Sequence, residues 1–177
     1  STDGTDHLSS TTGIKQGKHT TIIPATAMVS RTTNGAASGT AEMTTNKNMV
    51  KSLDFDASTQ EFAQFEVPMP KSWDRSTSLG VSFEAVWSHV TQGTSIGSSF
   101  GVVWSMAGVA TSADDTLDVA FGTEQTATDT GGTAQDRYIS PESSNIQVAG
   151  SPAQGDVVQF QLKRNVSDGS DTLGIDA

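Results

Sequence analysis

The sequence predicts an all-β protein, an antiparallel β-sandwich of jelly-roll-like winding, and three observations carry that expectation. Apolar residues recur every second position in several separate runs, which is the spacing of strands with one dry and one wet face. No segment of ten or more residues sustains a helical stripe of apolar positions. Only 17% of residues are charged, while Gly, Ser, Thr and Ala abound, a balance that favours strands and turns over helices. At 177 residues the chain fits one domain. A domain of that size buries roughly two thirds of its unfolded surface and needs no covalent staples.

Residues 1–18 are polar and rich in Gly, Ser and Thr, and they read as a flexible N-terminal arm or linker ahead of a sandwich domain spanning 19–177. HTTIIPA, from His19, is short and β-branched, so it predicts a first strand that Pro24 confines to an edge or a strand end. Residues 28–45 are small and polar, with Asn34-Gly35 as a turn signal. MVKSLDFD, residues 49–56, sets Leu53 and Phe55 on one face and Ser52 and Asp54 on the other. Asp56-Ala57-Ser58 then predicts a turn into a paired antiparallel strand, EFAQFEVPMP, with Ala63, Phe65, Val67 and Met69 inward. Pro68, Pro70 and Trp73 stop that strand abruptly.

The clearest alternation is LGVSFEAVWSH, with Leu79, Val81, Phe83, Ala85 and Trp87 inward and Val86 as an apolar exception on the outer side. FGVVWSMAGVA, residues 100–110, is apolar on both faces, so its second face must also be covered, by a partner copy or by this chain's own loops or arm. Four further strands are expected around Leu117, Val119 and Phe121; at Tyr138; at Ile146 and Val148; and at Val158, Phe160 and Leu162. Gly-, Asp- and Ser-rich turns separate them.

Several function classes are excluded by composition. With no cysteine, disulfides, thiolate zinc sites and thiol nucleophiles are all absent. The formal charge is −10, and the densest basic spot is Lys163-Arg164, so nucleic acid and anionic membrane surfaces are poor partners. No apolar run approaches the roughly 20 residues of a membrane-spanning helix, and STDGTDHLSS holds no apolar signal core.

Motifs for chemistry are weak. GTSIG, residues 93–97, matches the nucleophile-elbow spelling, but a β-type run follows it instead of a helix. His7, His19 and His89 all precede it, whereas a hydrolase of that kind needs a later histidine. The histidines also lack a zinc-binding spacing. His89 falls on the inward side of its strand and reads as a satisfied residue at a sheet end. Asp114, Asp115 and Asp118 form one acidic group and Asp168, Asp171 and Asp176 another. Either could offer calcium hard oxygen ligands, yet neither fits a spaced calcium loop, and aspartate is also a common turn residue. Asp114, Asp115 and Asp118 are kept as weak calcium candidates. No cofactor and no catalytic set is expected. Of the three tryptophans, Trp87 and Trp104 fall on inward faces, which leaves Trp73 as the candidate for stacking on a sugar.

LDFDASTQEFAQFEVPMPKSWD, residues 53–74, resembles a recurrent β-rich module of tailed-bacteriophage virions, in which an aspartate-rich strand start precedes an AQF strand and a PKSW corner. The likeness continues, in order, through FGVVW (100–104), DVAFGTEQTATDTGG (118–132), AGSPAQGD (149–156) and RNVSDGSDT (164–172). It covers most of the chain after Lys18. Two departures stand out: the TQGTSIGSS loop, 91–99, is longer than the usual connection, and the family tends to continue past a DA pair like Asp176-Ala177 into one more strand. A chain ending at Ala177 would leave an edge for a neighbouring subunit to fill.

The resemblance implies a tail-fibre, head-fibre or capsid-decoration protein at the virion surface, a homotrimer that contacts other virion proteins. A structural role without enzymatic activity is expected. The alternative expectation is a receptor-binding module for a host surface glycan, with Trp73, Gln92, Thr94 and Ser95 as its contacts. Neither nucleic acid nor membrane insertion is expected.

Overall fold

A computed structural model of the chain describes residues 18–71, 73, 80–89 and 100–177. Residues 1–17 of the expected arm, Leu79 and the 91–99 loop with Gln92, Thr94 and Ser95 lie outside the described residues. The architecture is all-β, with antiparallel sheets packed together as a sandwich. Among the described residues nine strands run in chain order: β1 (Val29–Ser30), β2 (Ala37–Glu42), β3 (Met49–Asp54), β4 (Phe62–Pro68), β5 (Val86–Trp87), β6 (Phe100–Thr111), β7 (Gln125–Gly131), β8 (Tyr138–Ile139) and β9 (Val157–Arg164). One 3-10 turn, Ala25–Ala27, precedes them. The main sheet has the order β1-β4-β9-β6-β7, and β2-β3 and β5-β8 form two smaller pairs.

The period of two builds the core as expected. Cross-strand register aligns Phe65 of β4 with Phe160 of β9 and Gly108 of β6, so their side chains share one face of the main sheet. On that face Ala63, Val158, Phe160, Val102, Trp104, Met106 and Ala127 are buried. Phe55, Phe83, Ala85, Trp87, Ile146 and Leu173 close the same core from the smaller sheets and loops. Phe55 meets the Trp104 ring edge-on at 5.3 Å, and Phe65 stacks on Phe160 at 5.4 Å. Such pairs add about 0.5–1.5 kcal/mol to the burial of the rings themselves.

β6 is buried on both faces from Gly101 to Ala110 within a single copy. Its outward residues Ser105, Ala107 and Val109 lie beside Lys163, Gln161 and Gln159 of β9. Small side chains next to long ones are shaded by their stems. The second face therefore needs no partner copy for cover, which answers the question its apolar pattern raised in favour of this chain's own residues.

Four expectations are corrected. First, β3 and β4 do not pair: β3 joins β2, whereas β4 joins β1 and β9. The turn at Asp56 is real, but it carries the chain from one sheet to the other, because the backbone of Phe55 bonds to Ala177 instead. Second, residues 19–23 form no strand, and Ile22 is 84% exposed. Third, 117–121 is not a strand, and Leu117 points to solvent. Fourth, Ile146 and Ala149 make only isolated bridges, to Val81 and Val109, and the expected core strand over 79–89 is, among its described residues, a ladder strand only at Val86–Trp87, although Phe83, Ala85 and Trp87 are buried on the expected side. In the other direction, β2 (ASGTAE) arises from a stretch with almost no large apolar residue, held by its backbone ladder to β3.

Candidate functional site

Of the residues expected to touch a glycan, Trp73 is the one among the described residues. Trp73 is half-buried and packs against the core, its amide closes a turn onto the Pro70 carbonyl, and its indole Nε1 is buried without a partner. Half-buried, it works as a partial plug of the core and keeps part of its ring at the surface. The other expected glycan contacts, Gln92, Thr94 and Ser95, belong to the undescribed loop, as does GTSIG.

Asp114, Asp115 and Asp118 are exposed turn residues. Asp114 takes the left-handed conformation with φ 67°, Asp115 Oδ2 accepts the Ser112 amide at 2.8 Å, and the Asp118 amide goes to Thr116 Oγ1 at 3.4 Å. Among the described residues no three His, Asp or Glu side chains group closely enough to hold a metal. The weak calcium candidates thus fold a loop, each through its own backbone contact.

The second acidic group separates in the same way, and one member becomes the centre of the molecule. Arg164 has no exposed side-chain surface and Asp171 has 2%. Arg164 Nε donates to both carboxylate oxygens of Asp171, at 3.2 and 3.0 Å, and Nη2 donates to Oδ1 at 2.7 Å. Nη1 donates to the Ile175 carbonyl at 2.7 Å and Nη2 also to the Leu173 carbonyl. Asp171 Oδ2 further accepts the Val103 amide at 3.0 Å. With its donors directed at protein oxygens in a fork geometry, this arginine is a clamp and not an anion-binding site.

The clamp seals a sheet edge. β6 outruns β9 at residues 100–103, and the exposed edge is taken up by the C-terminal segment: Asn165 donates to the Val103 carbonyl at 2.7 Å, and Thr172 and Leu173 donate to the Gly101 carbonyl at 2.9 and 3.1 Å. Gly101 is required there, since any Cβ would collide with the Ser170 carbonyl. Beyond the clamp, Ala177 exchanges both backbone bonds with Phe55, and Asp176 Oδ1 accepts the Ala57 amide at 3.1 Å. Asp168 caps Ser170 at 2.9 Å.

A second polar knot stands at the β3-to-β4 crossing. Asp56 Oδ1 accepts the Ser58 amide at 2.7 Å, the Ser58 hydroxyl at 2.8 Å and the Thr59 amide at 2.6 Å. The Ser58 amide and hydroxyl, with the Thr59 amide, hold the Asp56 carboxyl down to a pKa of about 2.

His89 is inward and fully buried, as its parity required, but among the described residues neither ring nitrogen has a hydrogen-bond partner. The expectation of a satisfied histidine is corrected. Trp87, by contrast, donates its indole N–H to Asp129 Oδ2 at 2.8 Å and stacks on Tyr138 at 4.6 Å.

The surface offers three further features. On the outer face of the main sheet, Gln64 donates to Gln161 at 2.9 Å and accepts from Gln159 at 3.2 Å, while Arg31 lies 4.2 Å over the Phe62 ring. Val86 and Ile139 face each other across β5-β8, both well exposed. An open groove is lined by Ala25, Thr26, Met28 and Val29 on one wall and by Lys51 and Leu53 on the other. Among the described residues Lys51 is the one ionisable side chain that lines it, beside Ser38 of β2. None of these features assembles a nucleophile with a base. Comparison with protein-family profiles, with curated proteins and with solved structures returned no match.

Two predictions follow from the polar knots. Arg164→Met strands a buried carboxylate and lowers the unfolding free energy by about 3–5 kcal/mol. Adding Asp171→Asn, which removes the charge but keeps an acceptor for the Val103 amide, recovers part of that loss in urea titrations. For Asp56 the folded pKa lies below its ordinary 3.8, so its stabilising effect is complete above that value and is lost as pH falls through it towards about 2. The gap in urea midpoint between wild type and Asp56→Ala therefore narrows over that interval.

Proposed function

We propose that this chain is a structural component of a phage virion, a surface-exposed decoration or fibre protein of jelly-roll-like winding that assembles as a homotrimer and contacts other particle proteins. The observation that carries this reading is the place of the resembling blocks in the fold. LDFDASTQEF contains the Asp56 knot, PKSW ends in the Trp73 plug, FGVVW is the clamped end of β6, and RNVSDGSDT supplies both Arg164 and Asp171. The sequence likeness to the virion module thus falls on the residues that hold this sandwich together, and such residues specify a body more than a reaction.

A scaffold role is also supported by the chemistry. The acidic chain, with its polar outer sheet and its carboxylates committed to turns and the clamp, is suited to assembly in contact with other proteins. The glycan-binding alternative is less favoured, because Trp73 is partly buried against the core.

Attachment to particles tests this proposal. Purified virions that carry the protein are expected to yield its peptides by mass spectrometry in a fixed ratio to the major capsid or tail protein, and antibodies to it are expected to label the particle surface in electron micrographs. Absence from extensively washed particles, with the protein found free in the lysate, would overturn it.

A further inference from the structure

We propose that residues 14–18 of the N-terminal arm lie as a strap along the outer side of 82–86, with the Ile14 side chain seated on Val86 and Ile139. The strap fixes where the arm leaves the body, and it stands or falls separately from a place on the virion.

The seat is an apolar pair on a polar face. Val86 and Ile139 lie opposite each other across β5-β8 and are 64% and 60% exposed. Along the run from Val81 to Trp87, Phe83, Ala85 and Trp87 are buried, so Ser82, Glu84 and Val86 share the outer side. Backbone bonds hold this run beside 139–146. The amides of Ser140, Ser143 and Ile146 donate to the carbonyls of Ala85, Phe83 and Val81.

The arm is tied at one end of this face. The Lys18 ammonium donates to Glu142 Oε1, which also accepts the Ser82 hydroxyl. Those two donors hold the Glu142 carboxyl below its usual range, as befits a carboxylate that is charged and engaged. From this tie the seat is within reach. Val86 stands four positions from Ser82, about 13 Å away at the rise of a strand. Ile14 stands four residues before Lys18, a span of roughly 13 Å when extended. The even spacing also puts Ile14 and Lys18 on the same side of an extended arm. Leu8 and Ile14 are the two large apolar residues in the sequence of 1–18, and Ile14 is the one whose distance fits.

Charge favours the arm over a second copy. Glu84 stands between Ser82 and Val86, and Glu142 lies at the tie, so two such faces meeting would crowd four glutamates around one small apolar contact. In a chain of formal charge −10 that arrangement is repulsive. Residues 7–18 hold two lysines, Lys15 and Lys18, and no carboxylate. Tethered at Lys18, Ile14 also meets the seat at the high effective concentration of a short linker.

The absence of cysteine makes a disulfide trap in the full chain the direct test. Ile14→Cys with Ile139→Cys is expected to close a bond within one chain under mild oxidation, about tenfold faster than Leu8→Cys with Ile139→Cys. Limited trypsin digestion gives a second readout that keeps Ile14 in place. The bond after Lys15 is expected to be cut about tenfold more slowly in wild type than in Val86→Ser with Ile139→Ser, two exposed positions whose change leaves the fold intact. Bonds that form only between chains, at a rate that rises with concentration, would overturn the strap in favour of a second copy's arm. Equal trapping from residues 8 and 14, with trypsin cutting wild type and the serine variant alike, would overturn the seat itself. Neither result bears on whether the protein is found on particles.

Discussion

The fold depends on one buried charge pair. A guanidinium and a carboxylate cannot be taken out of water cheaply, and the effective penalty is several kcal/mol per ion. Arg164 and Asp171 meet it because every approach to them is polar: the carboxylate also receives the Val103 amide, and the guanidinium also reaches the Leu173 and Ile175 carbonyls. Those partners lie on two elements, β6 and the C-terminal segment, so satisfying the charges fixes how the two meet. From there the geometry propagates. Leu173 is driven into the core, Gly101 accepts the close passage of Ser170, and Ala177 arrives beside Phe55, whose ring packs edge-on against Trp104. The segment after β9 is therefore the tie between the main sheet and the β2-β3 pair, and it closes a strand edge that would otherwise invite aggregation.

Much of this body was legible in the sequence, and the reason is periodicity. Where one face of an extended segment is dry and the other wet, as along β4 and β9 and in the largely unpaired run from Val81 to Trp87, alternation alone fixes which residues are inside. It also held the signal for the clamp. Val158, Phe160, Leu162 and Arg164 occupy successive inward positions, so the arginine was placed in the interior by the same rule that placed Phe160, although beside Lys163 it looked like a solvated basic spot.

Pairing was less legible than orientation. The turn at Asp56 is written plainly in its side-chain bonds, but a turn does not say whether its two strands share a sheet, and here β3 is claimed by β2 and by Ala177. β2 was invisible because its stability comes from backbone bonds, with no row of apolar side chains to announce it. The opposite case is 19–23, whose β-branched residues announce a strand that one copy does not form. The candidate ligand residues are hard to read for a related cause: aspartates and tryptophans have structural uses that spacing cannot separate from binding, and Asp114, Asp115 and Trp73 each serve a turn or packing here.

The central claim is that the C-terminal segment is held as firmly as the core by the Arg164 clamp. Native-state hydrogen exchange resolved to single amides tests it most directly, at Val103, Leu173 and Ala177 set against core amides of β6 and β9. The account predicts that these three amides exchange only with global unfolding, at the protection of the core. Exchange at Leu173 and Ala177 much faster than in β6, through a local opening that leaves the sheet protected, would contradict it.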